Sequence, residues 1–232
     1  AGTNVINQNG GNVVSYSDNG ITPGGSTVLD LQLASAAAAN NTYNLNSGTL
    51  AISQVASTQT NGTRTFNFNG GTLKAASGAS AATFFNLGTG NARANVRDGG
   101  AIIDTNGVNV TIAQVLAHSN IVANNPVTLA PDAAIDGGLK KQSSGMLTLT
   151  AVNGYTGPTL VTGGTLALSG SGDINTSPSI TVNGSAVEMK PEAGFIPVSR
   201  VRKSGDVLEF RFTPKLGRIT PRNSHSQIGR AH

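Results

Sequence analysis

The chain has 232 residues, of which 30 are Gly, none is Cys and only 11% are charged. This length is enough for one long solenoid or one large all-β domain, and the charged fraction is well below the roughly 25% of an average soluble domain. The absence of Cys excludes disulfides, thiol catalysis and Cys-ligated metals. Of the net charge of +4, residues 191–232 contribute +5, with eight Lys or Arg against three acidic residues, and residues 1–190 contribute −1.

The basic excess does not indicate a nucleic-acid interface. The bases of residues 191–232 are spread among Pro and Gly, and aromatic residues are only 4% of the chain, whereas such an interface needs a basic face with interleaved aromatics. We therefore expect no nucleic-acid partner. No run approaches the roughly 18 apolar residues of a membrane helix, so no membrane span is expected, and no signal peptide is recognisable at Ala1.

Short alternating runs separated by Gly-containing turns recur along the chain. They occupy residues 43–53, 66–74, 94–104, 160–168 and 180–187, and neighbouring copies lie roughly 20–30 residues apart, which is the period of a solenoid coil. Helical periodicity is confined to two short, poorly capped stretches, 33–39 and 111–118. The pattern indicates an all-β chain.

A right-handed parallel β-helix accounts best for these repeats. A single coil cannot enclose its own inward Leu, Val, Ile and Phe, so successive coils stack and pair their backbones in parallel. Gly is expected at the corners, and the Asn residues beside Gly are expected to form hydrogen-bonded ladders between stacked turns. The alternative is a β-sandwich, because Asn-Gly and Gly-Gly are also hairpin signals.

One segment resembles a known repeat. From Ile135 to Leu168 the chain reads IDGGLKKQSSGMLTLTAVNGYTGPTLVTGGTLAL. This resembles the autotransporter-associated β-strand repeat, also called the passenger-associated transport repeat, with its Gly-Leu-x-Lys start, its Leu-Thr-Leu-Thr strand, its Asn-x-Tyr-Thr-Gly turn and its Gly-Gly-Thr-Leu strand. It departs from that pattern at Met146, where Thr is common, and at Ala151, where Gly is common.

The resemblance implies an exported β-helical passenger at the bacterial cell surface, in which the repeat assists translocation and folding. We expect residues 1–190 to form this passenger-like domain and residues 191–232 to form a basic segment, partly strand and then a disordered or non-native tail. The expected role is structural or adhesive, with cell-surface glycans or other surface proteins as partners. Uncapped solenoid ends are expected to self-associate.

An enzyme is the alternative interpretation, since parallel β-helices also carry Ca²⁺-assisted hydrolases and polysaccharide lyases with clustered carboxylates. The substrate would be a polysaccharide, an ester or a lactone. The candidate catalytic residues are Asp98, Asp104, His118, Arg93 and Arg97, and the candidate Ca²⁺ ligands are Asp98, Asp104, Asp132 and Asp136. Asp98 and Asp136 each precede a Gly-Gly pair, so both can also be explained as turn caps.

Overall fold

The computed structural model describes residues 2–14, 28–31, 39–57, 62–79, 81–121, 130–183 and 185–187, and these residues form strands connected by turns and loops. Within these ranges there is no helix that could cross a membrane. The strands are Thr3–Val14 (β1), Val28–Asp30 (β2), Asn40–Ile52 (β3), Gln54–Ala56 (β4), Thr63–Phe68 (β5), Thr72–Ala75 (β6), Phe85–Asn86 (β7), Ala92–Val96 (β8), Ala101–Asp104 (β9), Val110–Ile112 (β10), Leu116–His118 (β11), Leu139–Gln142 (β12), Met146–Leu149 (β13), Thr159–Val161 (β14), Thr165–Leu168 (β15), Ile180–Val182 (β16) and Ser185–Val187 (β17).

The strands stack as a parallel β-helix with three faces. Hydrogen bonds join them into one sheet of eleven strands and one of six, and every named pair is parallel except β16 with β17. The first half of β3 pairs with β5 and its second half pairs with β6, and β1 runs alongside both halves. Face 1 therefore contains the first halves of β1 and β3 with β5, β8 and β11. Face 2 contains their second halves with β6, β9, β12, β14 and β16, and face 3 is the six-stranded sheet.

The core consists of columns of inward side chains, one from each coil. In β5, Phe66 and Phe68 are fully buried and alternate with outward residues. The Phe66 ring stacks on Tyr43 of the preceding coil, with centroids 5.2 Å apart, and meets Phe85 of face 3 edge-on at the same distance. Burying each such side chain stabilises the fold by roughly 1.5–3 kcal/mol, so the solenoid holds together along its axis through these columns.

Glycine forms the corner between faces 1 and 2. Gly100 and Gly138 have φ of 76° and 72°, in the left-handed region that other residues rarely adopt. Stacked corners also approach closely, because a Cβ on Gly138 would overlap the carbonyl oxygen of Pro158 in the next coil. The Gly-Gly pairs seen in the sequence are therefore required by backbone conformation and by the contact between coils.

Coil length covers a wider range than the predicted 20–30 residues. Hydrogen-bonded positions in neighbouring coils lie 23 residues apart at Asn44 and Asn67, 20 apart at Asp136 and Thr156, and 37 apart at Leu116 and Asn153. The longest of these coils carries the loop between β11 and β12.

The predicted parallel β-helix is confirmed, and the β-sandwich alternative is wrong because the strands pair in parallel across coils. The stretch 111–118, one of the two helical candidates, contains parts of β10 and β11 instead. Residues 33–38 of the other candidate lie outside the described residues, as do residues 191–232. The boundary near residue 190 stays a prediction.

Candidate functional site

Three of the predicted carboxylates and two of the predicted basic residues lie near the corner between faces 1 and 2. Arg97 and Asp98 follow β8 at this corner, His118 ends β11, and Asp132 and Asp136 lie in the loop before β12. Arg93 lies on the outer side of β8, and its guanidinium donates to the carbonyl of the adjacent Ala92.

Asp136 is the centre of this corner. Its side chain is only 1% exposed. The carboxylate accepts hydrogen bonds from the backbone N–H groups of Thr156, at 2.7 Å, Gly157, at 2.8 Å, and Gly138, at 2.9 Å. One of its oxygens also lies 2.9 Å from Nδ1 of His118. Asp136 thus joins three stretches of the chain at one corner.

The environment of Asp136 keeps it ionised. Burial alone would raise its pKa, but the hydrogen bonds from Thr156, His118, Gly157 and Gly138 outweigh burial and lower the pKa. The turn-cap explanation of this residue is confirmed by its bond to Gly138, two residues further along the chain.

The contact between His118 and Asp136 also bears on the acid–base chemistry of the imidazole. When Nδ1 donates to the carboxylate, Nε2 is the basic nitrogen, which is the arrangement of a carboxylate-oriented general base. The His118 side chain is 26% exposed, so it is reachable from solvent while Asp136 is not. Sequence reasoning selected both residues but assigned them to different roles.

Arg97 and Asp132 form a buried ion pair that fastens the loop before β12. Arg97 Nε lies 2.6 Å from Asp132 Oδ1, and the two side chains are 4% and 3% exposed. Arg97 also donates to the carbonyl of Ala130, and Asp132 accepts from the backbone N–H of Ile121. Asp98 adds a bond from the backbone N–H of Ala133. These groups are engaged in holding the loop against the stack.

The predicted Ca²⁺ ligands do not converge in the described part of the chain. Asp104 lies apart from the other three, on the outer side of face 2, with Lys74 Nζ 3.8 Å from its carboxylate. Asp132 pairs with Arg97 and Asp136 pairs with His118. No group of three or more His, Cys, Asp or Glu residues in the described ranges could hold a metal ion. Ca²⁺ binding stays a prediction.

Two ladders of Asn side chains run across the outer side of face 1 and its corner. Asn44 donates to Asn7, Asn67 to Asn44 and Asn95 to Asn67, with separations of 2.7, 2.6 and 2.8 Å. Nearer the corner, a parallel ladder joins Asn9, Asn46 and Asn69. The ladders predicted beside the Gly turns are therefore confirmed, whereas the ladder through Asn44 lies on the strands themselves.

Lys141 points into the interior of the stack, a position that the sequence analysis gave no role. It is fully buried, and its Nζ donates to Thr105 Oγ1 at 2.8 Å and to the carbonyls of Gln142 and Ser143 at 3.0 and 2.6 Å. Burial lowers the pKa of Lys141 to about 8, against the opposing effect of the Asp104 carboxylate. The sequence alternation Leu139-Lys140-Lys141 could have indicated this inward position, because it places Lys141 on the same side of β12 as the core residue Leu139.

Comparison with known proteins supports the resemblance. No curated protein and no solved structure matches the chain. Residues 139–168 match the model of the passenger-associated transport repeat family. The matched stretch runs from β12 to β15 and contains Lys141, the Asn153 turn and Tyr155. The predicted resemblance is confirmed, and this part of the chain is similar to the strand repeats associated with autotransporter passengers.

Proposed function

We propose that the chain is part of a secreted or cell-surface β-helical passenger with a structural and adhesive role, and that its repeat assists export. One observation carries the proposal. The stretch that matches the transport repeat contributes strands to two consecutive coils of a continuous parallel stack, with β12 paired to β14 and β13 paired to β15. It pairs with β9 and β10 on one side and with β16 on the other.

An adhesive role is supported by the chemistry of the outer surface. Near its corner, face 1 presents the exposed amides of Asn9 and Asn46, whereas Asn44 and Asn67 of the other ladder are buried. The buried charges of Arg97 and Asp132 neutralise each other. Such a surface offers many hydrogen-bond donors and acceptors without a strong field, which suits glycans or other surface proteins. A second copy of the chain, docked at a solenoid end, is a further partner in this proposal.

Assistance to export is supported by the way the repeat folds. Its inward Leu147 and Leu149 are fully buried between neighbouring coils, so each coil gains its core only when it meets the preceding one. Its inward polar groups find partners nearby, since Tyr155 Oη lies 2.7 Å from Thr159 Oγ1. Coils of this kind can add one by one to a growing stack, which would draw an emerging chain outward.

The export proposal is tested by surface display. The chain is fused between a secretion signal and an outer-membrane translocator, and display is measured by antibody labelling and protease accessibility on intact cells. Gly138→Ala, which disrupts the contact between coils, should lower display several-fold, while Gly170→Ala, at an open turn, should retain it. Equal display of the two variants would contradict a role for coil stacking in export.

The adhesive proposal needs a separate measurement. Beads coated with purified chain are incubated with host or bacterial cells before and after enzymatic removal of surface glycans, and with beads coated with an unrelated β-helix as the control. Specific retention that falls after glycan removal would support glycan recognition, and retention that survives it would indicate a protein partner. No retention above the control would contradict adhesion.

The pair of His118 and Asp136 favours a second candidate, a hydrolase or lyase acting on a polysaccharide, an ester or a lactone. His118 Nε2 would act as the general base, oriented by Asp136. The test is a turnover screen over these three substrate classes, with and without Ca²⁺. Turnover that is lost in His118→Ala, in protein whose melting temperature is unchanged, would establish the enzyme. No turnover on any class would contradict this candidate.

A further inference from the structure

A groove on the outer side of face 2 is separate from the corner of Asp136 and from the Asn ladders. It has a volume of about 450 Å³, and outward side chains of β1, β3, β6, β9 and β12 line it. Neighbouring strands lie about 4.8 Å apart, so five strands give a floor about 19 Å long across the coils. The groove therefore runs along the solenoid axis and is long enough for a chain-like ligand.

Register builds the floor from two columns of outward residues. In the first column Asn12, Thr49 and Thr72 are directly paired across β1, β3 and β6. These side chains present a row of amide and hydroxyl groups along the groove, each able to donate and to accept a hydrogen bond. The column then continues to Ile102, which does not line the groove.

The second column contains the charges. Lys74 of β6 pairs in register with Asp104 of β9, which pairs with Gln142 of β12. Lys74 Nζ lies 3.8 Å from the Asp104 carboxylate, and the two side chains are 36% and 15% exposed. Because the two charges lie together, the groove carries no net charge and selects for neither anions nor cations.

The turn that leads from β9 on face 2 to β10 on face 3 forms one wall. Asn106 donates through Nδ2 to the carbonyl of Ala75, and its backbone N–H donates to Asp104. The wall is thus hydrogen-bonded to the floor and to the neighbouring coil. Val14 and Ala51, paired in register at one end of the second column, add a small apolar patch among the polar groups.

We propose that this groove binds a neutral, linear oligosaccharide that lies along the solenoid axis, an inference that rests on the adhesive role proposed above and assigns it to one site. Paired donor and acceptor groups match sugar hydroxyls, the apolar patch of Val14 and Ala51 matches the apolar face of a ring, and the balanced charges disfavour polyanionic chains. The lining residues include no aromatic side chain, so each sugar unit is held weakly and affinity comes from the length of the contact.

The test is a titration of purified full-length chain with neutral linear hexasaccharides of β-1,4-linked glucose, β-1,3-linked glucose and β-1,4-linked mannose, monitored by NMR, with oligogalacturonate as the anionic comparison. We expect saturable binding of at least one neutral probe and weaker binding of oligogalacturonate. Thr72→Arg places a long side chain in the groove and should lower the affinity at least about tenfold, equivalent to about 1.4 kcal/mol.

Two further variants keep the result interpretable. Thr181→Arg makes the same change on the outer side of β16, beyond the groove, and should leave affinity within about twofold, a difference of under 0.5 kcal/mol. Gln142→Arg fills the other end of the groove and should lower the affinity in the same way, which gives an independent test in case Thr72→Arg alters folding. Absence of saturable binding to any neutral probe, or equal binding by the groove variants and Thr181→Arg, would overturn the proposal. Adhesion that persists in groove variants would place the adhesive surface elsewhere and leave the proposed function standing.

Discussion

Buried polar side chains fix the turns of this solenoid by hydrogen bonding to its backbone. Asp136 accepts from three backbone N–H groups, and Lys141 donates to two backbone carbonyls. Asp136 satisfies three turn N–H groups, and Lys141 supplies a donor to the Ser143 carbonyl in the turn after β12 and a further donor to the Gln142 carbonyl. A buried backbone group without a partner is costly. Each of the two is therefore expected to make stability depend on pH, in a different range.

Removal of the Asp136 carboxylate should destabilise the fold strongly. In Asp136→Ala three buried N–H groups lose their acceptor, and we expect a loss of about 3 kcal/mol at pH 7. Because the folded pKa of Asp136 lies below its usual value of 3.8, the wild-type advantage is present above that value and is lost as the pH falls through the folded pKa. Urea unfolding at several pH values measures both effects.

The matched control is Asp173→Ala. Asp173 also caps a turn, but it does so through bonds to Asn175 in an exposed position. We expect it to cost less than about 1 kcal/mol, since water replaces the lost contacts. Equal losses of unfolding free energy in the two variants would show that burial of the Asp136 corner does not increase its contribution to stability.

Lys141 should make stability rise with pH on the alkaline side. Its pKa is about 8 in the folded chain and 10.5 in the unfolded chain, so the unfolded chain binds more protons between these values. The free energy of unfolding should therefore increase from pH 8 towards pH 10.5. The difference between wild type and Lys141→Met, followed by urea unfolding across this range, isolates the contribution of Lys141. A constant difference would contradict the lowered pKa.

At the scale of elements, the repeated parts of a coil could be predicted and the contacts between coils could not. The alternating runs 66–74 and 94–104 contain the ends of β5 and β8, most of β6 and all of β9, with the Gly-Gly corners between them, because each coil repeats the same residue types. The pairing of Lys141 with Thr105 joins neighbouring coils, and the pairing of His118 with Asp136 closes the long loop between β11 and β12. Since hydrogen-bonded positions in adjacent coils are 20 to 37 residues apart, no fixed period gives the partner of a residue.

Substitutions at two turn glycines test how much the close contact between coils contributes to stability. Gly138→Ala combines an unfavourable φ of 72° with overlap of the Cβ and the Pro158 carbonyl, so the stack must move, and we expect a loss above about 3 kcal/mol. Gly170→Ala has a similar φ of 63°, but the new Cβ would meet only the Thr150 carbonyl oxygen at an ordinary contact distance of 3.9 Å, and the variant should lose about 1 kcal/mol. Thermal unfolding of both variants measures the difference. Similar losses would mean that φ alone matters at the corner.

At the scale of the whole molecule, the two ends of the described stack differ. On face 2 the stack ends with β17, which pairs antiparallel to β16 and interrupts the parallel order. At the other end β1 pairs with β3, and its inward residues Ile6 and Val13 are 51% and 49% exposed, although their neighbours Tyr43 and Leu50 are 3% and 1% exposed. The inward columns are therefore open at β1.

The open end should unfold before the middle of the stack. A coil at the end of a solenoid has one neighbouring coil, whereas β6 and β9 have neighbours on both sides and bury Leu73 and Ile103 completely. Local opening of β1 should therefore cost less free energy, and its amides should exchange at least about tenfold faster than those of β6 and β9. Hydrogen exchange followed by mass spectrometry measures this gradient. Equal protection along the stack would contradict this expectation and would mean either that the chain unfolds as one cooperative unit or that another molecule covers β1. If exchange of the β1 amides slows at higher protein concentration, the covering molecule is a second copy of the chain.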